Sequence, residues 1–316
     1  MPPAKQYPWV MRLNHLALRL RSAYRVLLPS RLDPRRITTV ALETTTECTR
    51  KCAYCPPHHA MAVPKLKMAP EIFRSILASL AAHDYAGSIF FSLYGESLAD
   101  DRLEAWLAEA RGKVPGARLV VFTNGDLLTV ERYLSLKKAG MDVLSISLHS
   151  REPGAALLRT LGTLQKEHPG LYCVGVIDYY SQYYDRGGGV GLLNNKGGMA
   201  DVRRRPFSSC CDIDSSAIDC FGNVLLCNND CTSSYVFGNV REKDFYAIWT
   251  DPAFVSARLK IMRGEWLFEI CRKCMDRRGL TTPIPSGKAA RLPPAFNDFR
   301  EVMDKQAREA AAGKKK

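Results

Sequence analysis

The sequence predicts an α/β fold built on parallel strands, and two observations carry the prediction. From about residue 37 to 180, short apolar runs rich in β-branched and aromatic residues alternate with segments of helical period. That alternation is the pattern of βα units, in which each crossover helix returns the chain to lay down another parallel strand. The second observation is where the unusual residues fall. Three cysteines, a Gly-Glu pair and an Asn-Gly pair each follow a strand-like run, and in βα folds the reactive groups gather at the C-terminal ends of the strands.

Taken in order, the strand-like runs are Thr39–Thr44 (with Ile37 leading in), Ser88–Leu93, Arg118–Thr123, Val143–Leu148 and Tyr172–Ile177. Helical stretches lie between them at 70–82, 100–112, 129–139 and 152–168. Ahead of the first strand, residues 11–28 place Leu13, Leu16, Leu20, Tyr24, Leu27 and Leu28 near one helical face, with arginines on the other. The segment reads as a basic amphipathic helix packed on the domain or on a partner, a membrane surface being the other use of such a helix. Pro29 and Pro34 end it. The expected organisation is a basic N-terminal helix over 1–36, a βα domain over 37–185, a cysteine-rich second domain over 186–280, and a C-terminal helix with a basic tail over 281–316.

The 316 residues are enough for one large core with a smaller domain beside it. No stretch reaches the eighteen or so apolar residues of a membrane span, and the N-terminus shows no secretory signal. The eleven cysteines therefore read as metal ligands in a reducing cytoplasm rather than as disulfides. The formal charge of +13 suits an anionic or nucleotide-linked small molecule. Charge alone does not make a nucleic-acid binder, and no recognition module for nucleic acid is visible.

The chemistry centres on Glu47-Cys48-Thr49-Arg50-Lys51-Cys52-Ala53-Tyr54-Cys55. Three thiolates on one loop can hold three irons of a [4Fe–4S] cube and leave the fourth iron open to a small chelating ligand. Zinc sites prefer paired C-x2-C units instead. With its C-x3-C-x-aromatic-C spacing after the first strand, the chain resembles the radical S-adenosylmethionine (SAM) superfamily. The resemblance implies a partial (β/α)6-type barrel, with SAM chelating the open iron and Tyr54 at the aromatic position. It implies reductive cleavage of SAM to a 5′-deoxyadenosyl radical, with electrons from a flavodoxin- or ferredoxin-type donor. Tyr94-Gly95-Glu96-Ser97 then stands where the superfamily has its Gly-Gly-Glu-Pro-like motif. Gly95 and Glu96 match, whereas Tyr94 and Ser97 depart from the commonest form. Glu96 would accept from the SAM ammonium group, and Gly95 would let the backbone approach closely. On the same resemblance Asn124 and Ser147 are carried over as SAM contacts. An ordinary turn is the other reading of Asn124-Gly125, and His149 reads as a substrate contact, a proton acceptor or a polar strand cap.

A second cysteine group follows. Cys210 and Cys211 lead into a hairpin-like stretch with Gly222 at its turn, Cys227 follows it, and Cys271-Arg272-Lys273-Cys274 closes the region. Four thiolates from three loops suit one [4Fe–4S] cluster or a four-cysteine zinc site. The region resembles the auxiliary domains called SPASM and Twitch, which favours the cluster. Because no cysteine follows Cys274, the resemblance points to the one-cluster Twitch form. Cys227, Cys271 and Cys274 are its ligands, joined by Cys210, with Cys211 as the alternate. Cys220 and Cys231 are left over, and Cys173 reads as a small core residue.

These features together imply a radical SAM oxidoreductase with two [4Fe–4S] clusters that dehydrogenates a polar small molecule, such as an aminocyclitol, sugar or nucleotide sugar. Three other readings use the same residues. An epimerase would use Cys231 as hydrogen-atom donor, a peptide-modifying enzyme would act on a larger substrate, and a non-catalytic cluster protein would only bind a partner.

Overall fold

The structure is a computed structural model. It describes residues 33–52, 55, 64–150, 153–178, 210, 213–275, 297–298, 302–303 and 305. The expected helix at 11–28, together with Tyr54 and Cys211, lies outside the described residues.

Five parallel strands alternate with helices as the periodicity predicts: β1 (Thr39–Leu42), α1 (Pro70–Ala82), β2 (Ser88–Phe91), α2 (Leu103–Lys113), β3 (Arg118–Thr123), α3 (Val130–Lys138), β4 (Val143–Leu148), α4 (Ala155–Glu167) and β5 (Val174–Asp178). Local chemistry sets the helix starts. Pro70 occupies the first turn of α1, where its fixed φ fits and its missing N–H is no loss. The Thr129 hydroxyl accepts from the Arg132 N–H to cap α3. The helices pack one face against the sheet. Ile72, Phe73, Ile76, Leu77 and Leu80 of α1 join Val40 and Leu42 of β1 in one large core, and burying side chains of this size stabilises the fold by roughly 1.5–3 kcal/mol each.

Two strands stop earlier than the apolar pattern suggests. The β1 ladder closes with the Glu43 N–H on the Ile218 carbonyl; beyond it Thr45 bridges Lys67 and the Met68 N–H bonds the Thr44 carbonyl, so from Thr44 the chain belongs to the loop above the sheet. β2 ends at Phe91, and Leu93 takes a φ of 100°, in the left-handed region that costs a branched side chain about 1–2 kcal/mol.

The auxiliary region is continuous with this sheet. Three further strands, β6 (Ser215–Ile218), β7 (Asn223–Leu225) and β8 (Val236–Asn239), precede α5 (Phe245–Trp249), α6 (Pro252–Met262) and α7 (Glu269–Met275). β6 runs parallel to β1, in register from Thr39 with Ser215 to Leu42 with Ile218, while β7 and β8 are antiparallel. A short β9 (Asn297–Asp298) pairs with β5, giving the order β8-β7-β6-β1-β2-β3-β4-β5-β9. The C-terminal stretch expected to be helix and tail thus also contributes an edge strand. Arg258 anchors α6: buried, with its guanidinium 3.6 Å from the Trp249 ring centroid and 4.1 Å from that of Phe254, it donates to the Pro34 carbonyl.

Gly162 lies exposed within α4, where an added Cβ meets nothing within 4 Å. Gly162→Ala is expected to raise stability by about 0.5–1 kcal/mol, read as a higher urea midpoint at unchanged m-value. A lower midpoint would refute this account of α4.

Candidate active site

The loop after β1 carries Cys48, Cys52 and Cys55, and the ends of β2 and β3 hold it in place. The Cys55 N–H bonds the Cys52 carbonyl at 3.0 Å, closing the turn between them. Arg102 fixes the foot of the loop by donating to the carbonyls of Met68 (2.8 Å) and Thr44 (3.2 Å) while paired with Asp100. On the far side Arg50 forms a two-pronged ion pair with Asp126, whose Oδ2 also accepts from the Thr49 hydroxyl at 3.2 Å. That pair holds the Asp126 carboxyl below its usual range.

Glu96 sits at the centre of the strand ends. Its carboxylate accepts from the Thr123 hydroxyl (2.6 Å), the Asn124 N–H (2.7 Å) and the Leu98 N–H (3.0 Å), and its own N–H bonds the Glu47 carbonyl at 2.7 Å. Burial pushes its pKa up, and the three donors oppose that shift. Three of about four lone-pair sites are taken, which leaves room for one further donor such as an ammonium group.

Gly95 is required by contact. A Cβ there would lie 1.8 Å from the Thr45 carbonyl oxygen. The Ser97 hydroxyl donates to the Phe91 carbonyl at 2.9 Å and so closes the turn. Asn124 reaches back to the cluster loop, its Nδ2 standing 3.0 Å from Thr49 Oγ1 and 3.9 Å from Cys48 Sγ. Ser147 is buried at the end of β4.

The fit of a cluster can be judged at Cys48. Two N–H donors, the Arg50 peptide at 3.4 Å and Asn124 Nδ2, are aimed at its sulfur, as suits a thiolate carrying cluster charge. Burial raises the thiol pKa without a metal, so cluster assembly would displace a proton. Among the described residues no three Cys, His, Asp or Glu side chains already converge on one metal-sized point.

The auxiliary thiols come from separate elements. Cys210 and Cys271 pack at the edge of the main core, Cys227 follows β7, and Cys271 and Cys274 stand one turn apart on α7. Burial pushes the Cys271 thiol up to about 11. Aromatic contacts bring the approach to α7 beside the hairpin: Phe268 lies 4.9 Å from Tyr235, and Phe237 stacks on Phe254 at 3.9 Å. The Tyr94 hydroxyl, beside Gly95 and Glu96, donates to the Asn228 carbonyl next to Cys227. That bond ties the two cysteine regions together.

Sequence reasoning missed Arg50–Asp126, Arg102 and the Tyr94–Asn228 bridge, and none of these left a local signal.

Residues 42–165 match the model of the radical SAM superfamily, and residues 210–275 match the SPASM iron–sulfur cluster-binding domain. The chain is a radical SAM enzyme with a SPASM-type domain; it uses SAM with a [4Fe–4S] cluster, and its second domain binds further iron–sulfur. It is 27% identical over 242 residues to the S-adenosyl-L-methionine-dependent 2-deoxy-scyllo-inosamine dehydrogenase of Niallia circulans, spanning 74% of this chain and 91% of that one. A crystal structure of BtrN in complex with AdoMet and 2-DOIA superposes with a TM-score of 0.66 at 25% identity, over 75% of this chain and 92% of the other. The GTP 3′,8-cyclase of Synechococcus sp. (strain CC9902) is 32% identical over 131 residues, 40% of this chain and 36% of its own length. No helix among the described residues is long and apolar enough to cross a membrane.

Proposed function

We propose that this enzyme is a dehydrogenase that oxidises a secondary hydroxyl of a polar small molecule, of the aminocyclitol, sugar or nucleotide-sugar kind, to a ketone. The observation that supports it best is the second cysteine set, four thiols with none after Cys274, in a chain similar to most of an aminocyclitol dehydrogenase. When bound, SAM and the first cluster supply a carbon radical that removes a hydrogen atom, and the auxiliary cluster accepts an electron.

Cys48, Cys52 and Cys55 would hold the first cluster. Glu96, Asn124 and Ser147, at adjoining strand ends, would orient SAM. Cys210, Cys227, Cys271 and Cys274 would hold the second cluster, with Tyr94 fixing its loop against the SAM site. A flavodoxin- or ferredoxin-type donor and a cytoplasmic setting complete the reading.

Product mass tests it. Dehydrogenation gives a product two mass units below substrate, since two hydrogens leave, and Cys231→Ala still forms it. A product of unchanged mass that gains one deuteron in deuterium oxide, and is lost in Cys231→Ala, would instead identify an epimerase using Cys231 as donor.

A further inference from the structure

The face of the sheet turned away from the helices has an apolar floor and a polar rim. Val40 and Leu42 pack among the helices, so Ala41 and Glu43 point to the opposite face. On that face Phe90, Val120, Phe122, Val143 and Cys173 form a second apolar cluster, covered by Val302 and Met303 near the C-terminus. Towards the C-terminal ends of the strands the same face turns polar, with Glu43, Ser145 and Ser147, all buried.

Two of these residues stand out. Among the described residues the buried Ser145 Oγ finds no hydrogen-bond partner, a state that costs free energy unless a ligand supplies the partner. Glu43 accepts from the Cys220 N–H at 3.4 Å and from the Tyr94 N–H, and no cation among the described residues pairs with it. Just beyond β6, Asp219 and Cys220 lie beside it. The Asp219 carboxyl is already engaged, accepting from the N–H groups of Phe221 and Asn223, the Asn223 amide and the Ser233 hydroxyl. Arg102, which reaches the adjacent Thr44 carbonyl, is paired with Asp100. Burial first, then the Asp219 charge, raises the Glu43 carboxyl to about 7, where a general base works best near neutral pH.

We propose that Glu43 is the proton acceptor of the oxidation, taking the hydroxyl proton of the carbon being oxidised, with Ser145 Oγ as a second contact to the substrate. This rests on the dehydrogenase reading above. The balance is complete: the carbon's hydrogen atom leaves to the SAM-derived radical, the hydroxyl proton to Glu43, the remaining electron to the oxidised auxiliary cluster, and the C=O bond forms.

The test uses reconstituted holoenzyme and 2-deoxy-scyllo-inosamine carrying deuterium on its carbinol carbons. Deuterium transfer into 5′-deoxyadenosine reports hydrogen abstraction, and ketone reports the complete oxidation. In Glu43→Gln, deuterium transfer should stay within about three-fold of wild type, while ketone falls about 100-fold or more. In wild type, ketone per deuterium transferred should fall as pH drops through about 7, because the acceptor is then already protonated. The variant should lose that dependence. Ketone at the wild-type level in Glu43→Gln, or an equal loss of both signals with iron content intact, would overturn the assignment and leave the dehydrogenase reading standing. A wild-type enzyme that abstracts deuterium and releases a product one mass unit below the labelled substrate, a hydrogen replacing the deuterium, would remove the dehydrogenase reading, and the base with it. So would one that shows neither signal with this or other cyclitols and sugars.

Discussion

Replacing Cys48, Cys52 and Cys55 together by alanine is expected to halve the iron of the reconstituted chain, from about eight to about four per molecule, and to abolish SAM cleavage. The expectation follows from two ligand sets on different elements. The first sits on the loop after β1, and the second is spread over the approach to β6, the turn after β7 and the helix α7. Loss of one set leaves the other four thiols in place. The fold should survive, because Arg102, Asp126 and Glu96 secure the loop's surroundings through bonds that involve no cysteine side chain. Iron and acid-labile sulfide counts, with SAM cleavage followed as 5′-deoxyadenosine, decide it. Full iron in the triple variant, or zinc in the second site, would refute the two-cluster assignment.

Local pattern made the barrel strands legible. Arg118–Thr123 and Val143–Leu148 appear where expected because parallel strands covered on both faces read as continuous apolar runs. The same rule misplaces the ends of β1 and β2. Beyond Leu42 and Phe91 the residues remain strand-like in type, yet the chain is drawn off by contacts with Lys67, Met68 and Glu47 that no local window contains. β9 was invisible as two polar residues on an edge, and the pairing of β6 with β1 joins segments 176 residues apart in register.

The site divides in the same way. Its cysteines and the Gly-Glu pair could be seen because cluster and cofactor binding need fixed residue types at fixed spacing. The residues that hold them could not. Arg50 and Asp126 are 76 apart, Tyr94 and Asn228 are 134 apart, and nothing in either member announces its partner. Ser97 departs from the commonest residue at its motif position, and it closes a turn, a role open to any small hydroxyl residue.

Gly95→Ala is expected to cost SAM binding at least ten-fold in affinity and about 100-fold in SAM cleavage, while the auxiliary cluster keeps its iron. The added Cβ would lie 1.8 Å from the Thr45 oxygen, 2.7 Å from the Thr45 carbonyl carbon and 3.3 Å from the Glu47 oxygen. All three are backbone atoms, so no side chain can swing aside to make room. One of the two loops must retreat by more than an ångström, and Glu96 moves with it, because its N–H is bonded to Glu47 and its carboxylate to Thr123 and Asn124. A displacement of about 1 Å in a positioning element can cost about a hundred-fold in rate. Thr45, Glu47 and Gly95 belong to no helix and are not among the residues of the large core, so the unfolding midpoint should move far less than the activity. Gly162→Ala serves as the control for the same added methyl group, with open space around it. SAM affinity by titration calorimetry, 5′-deoxyadenosine formation and iron content, measured on both variants, check the expectation. Gly95→Ala with wild-type SAM affinity and cleavage would show that the approach of Gly95 to Thr45 does not position the SAM site.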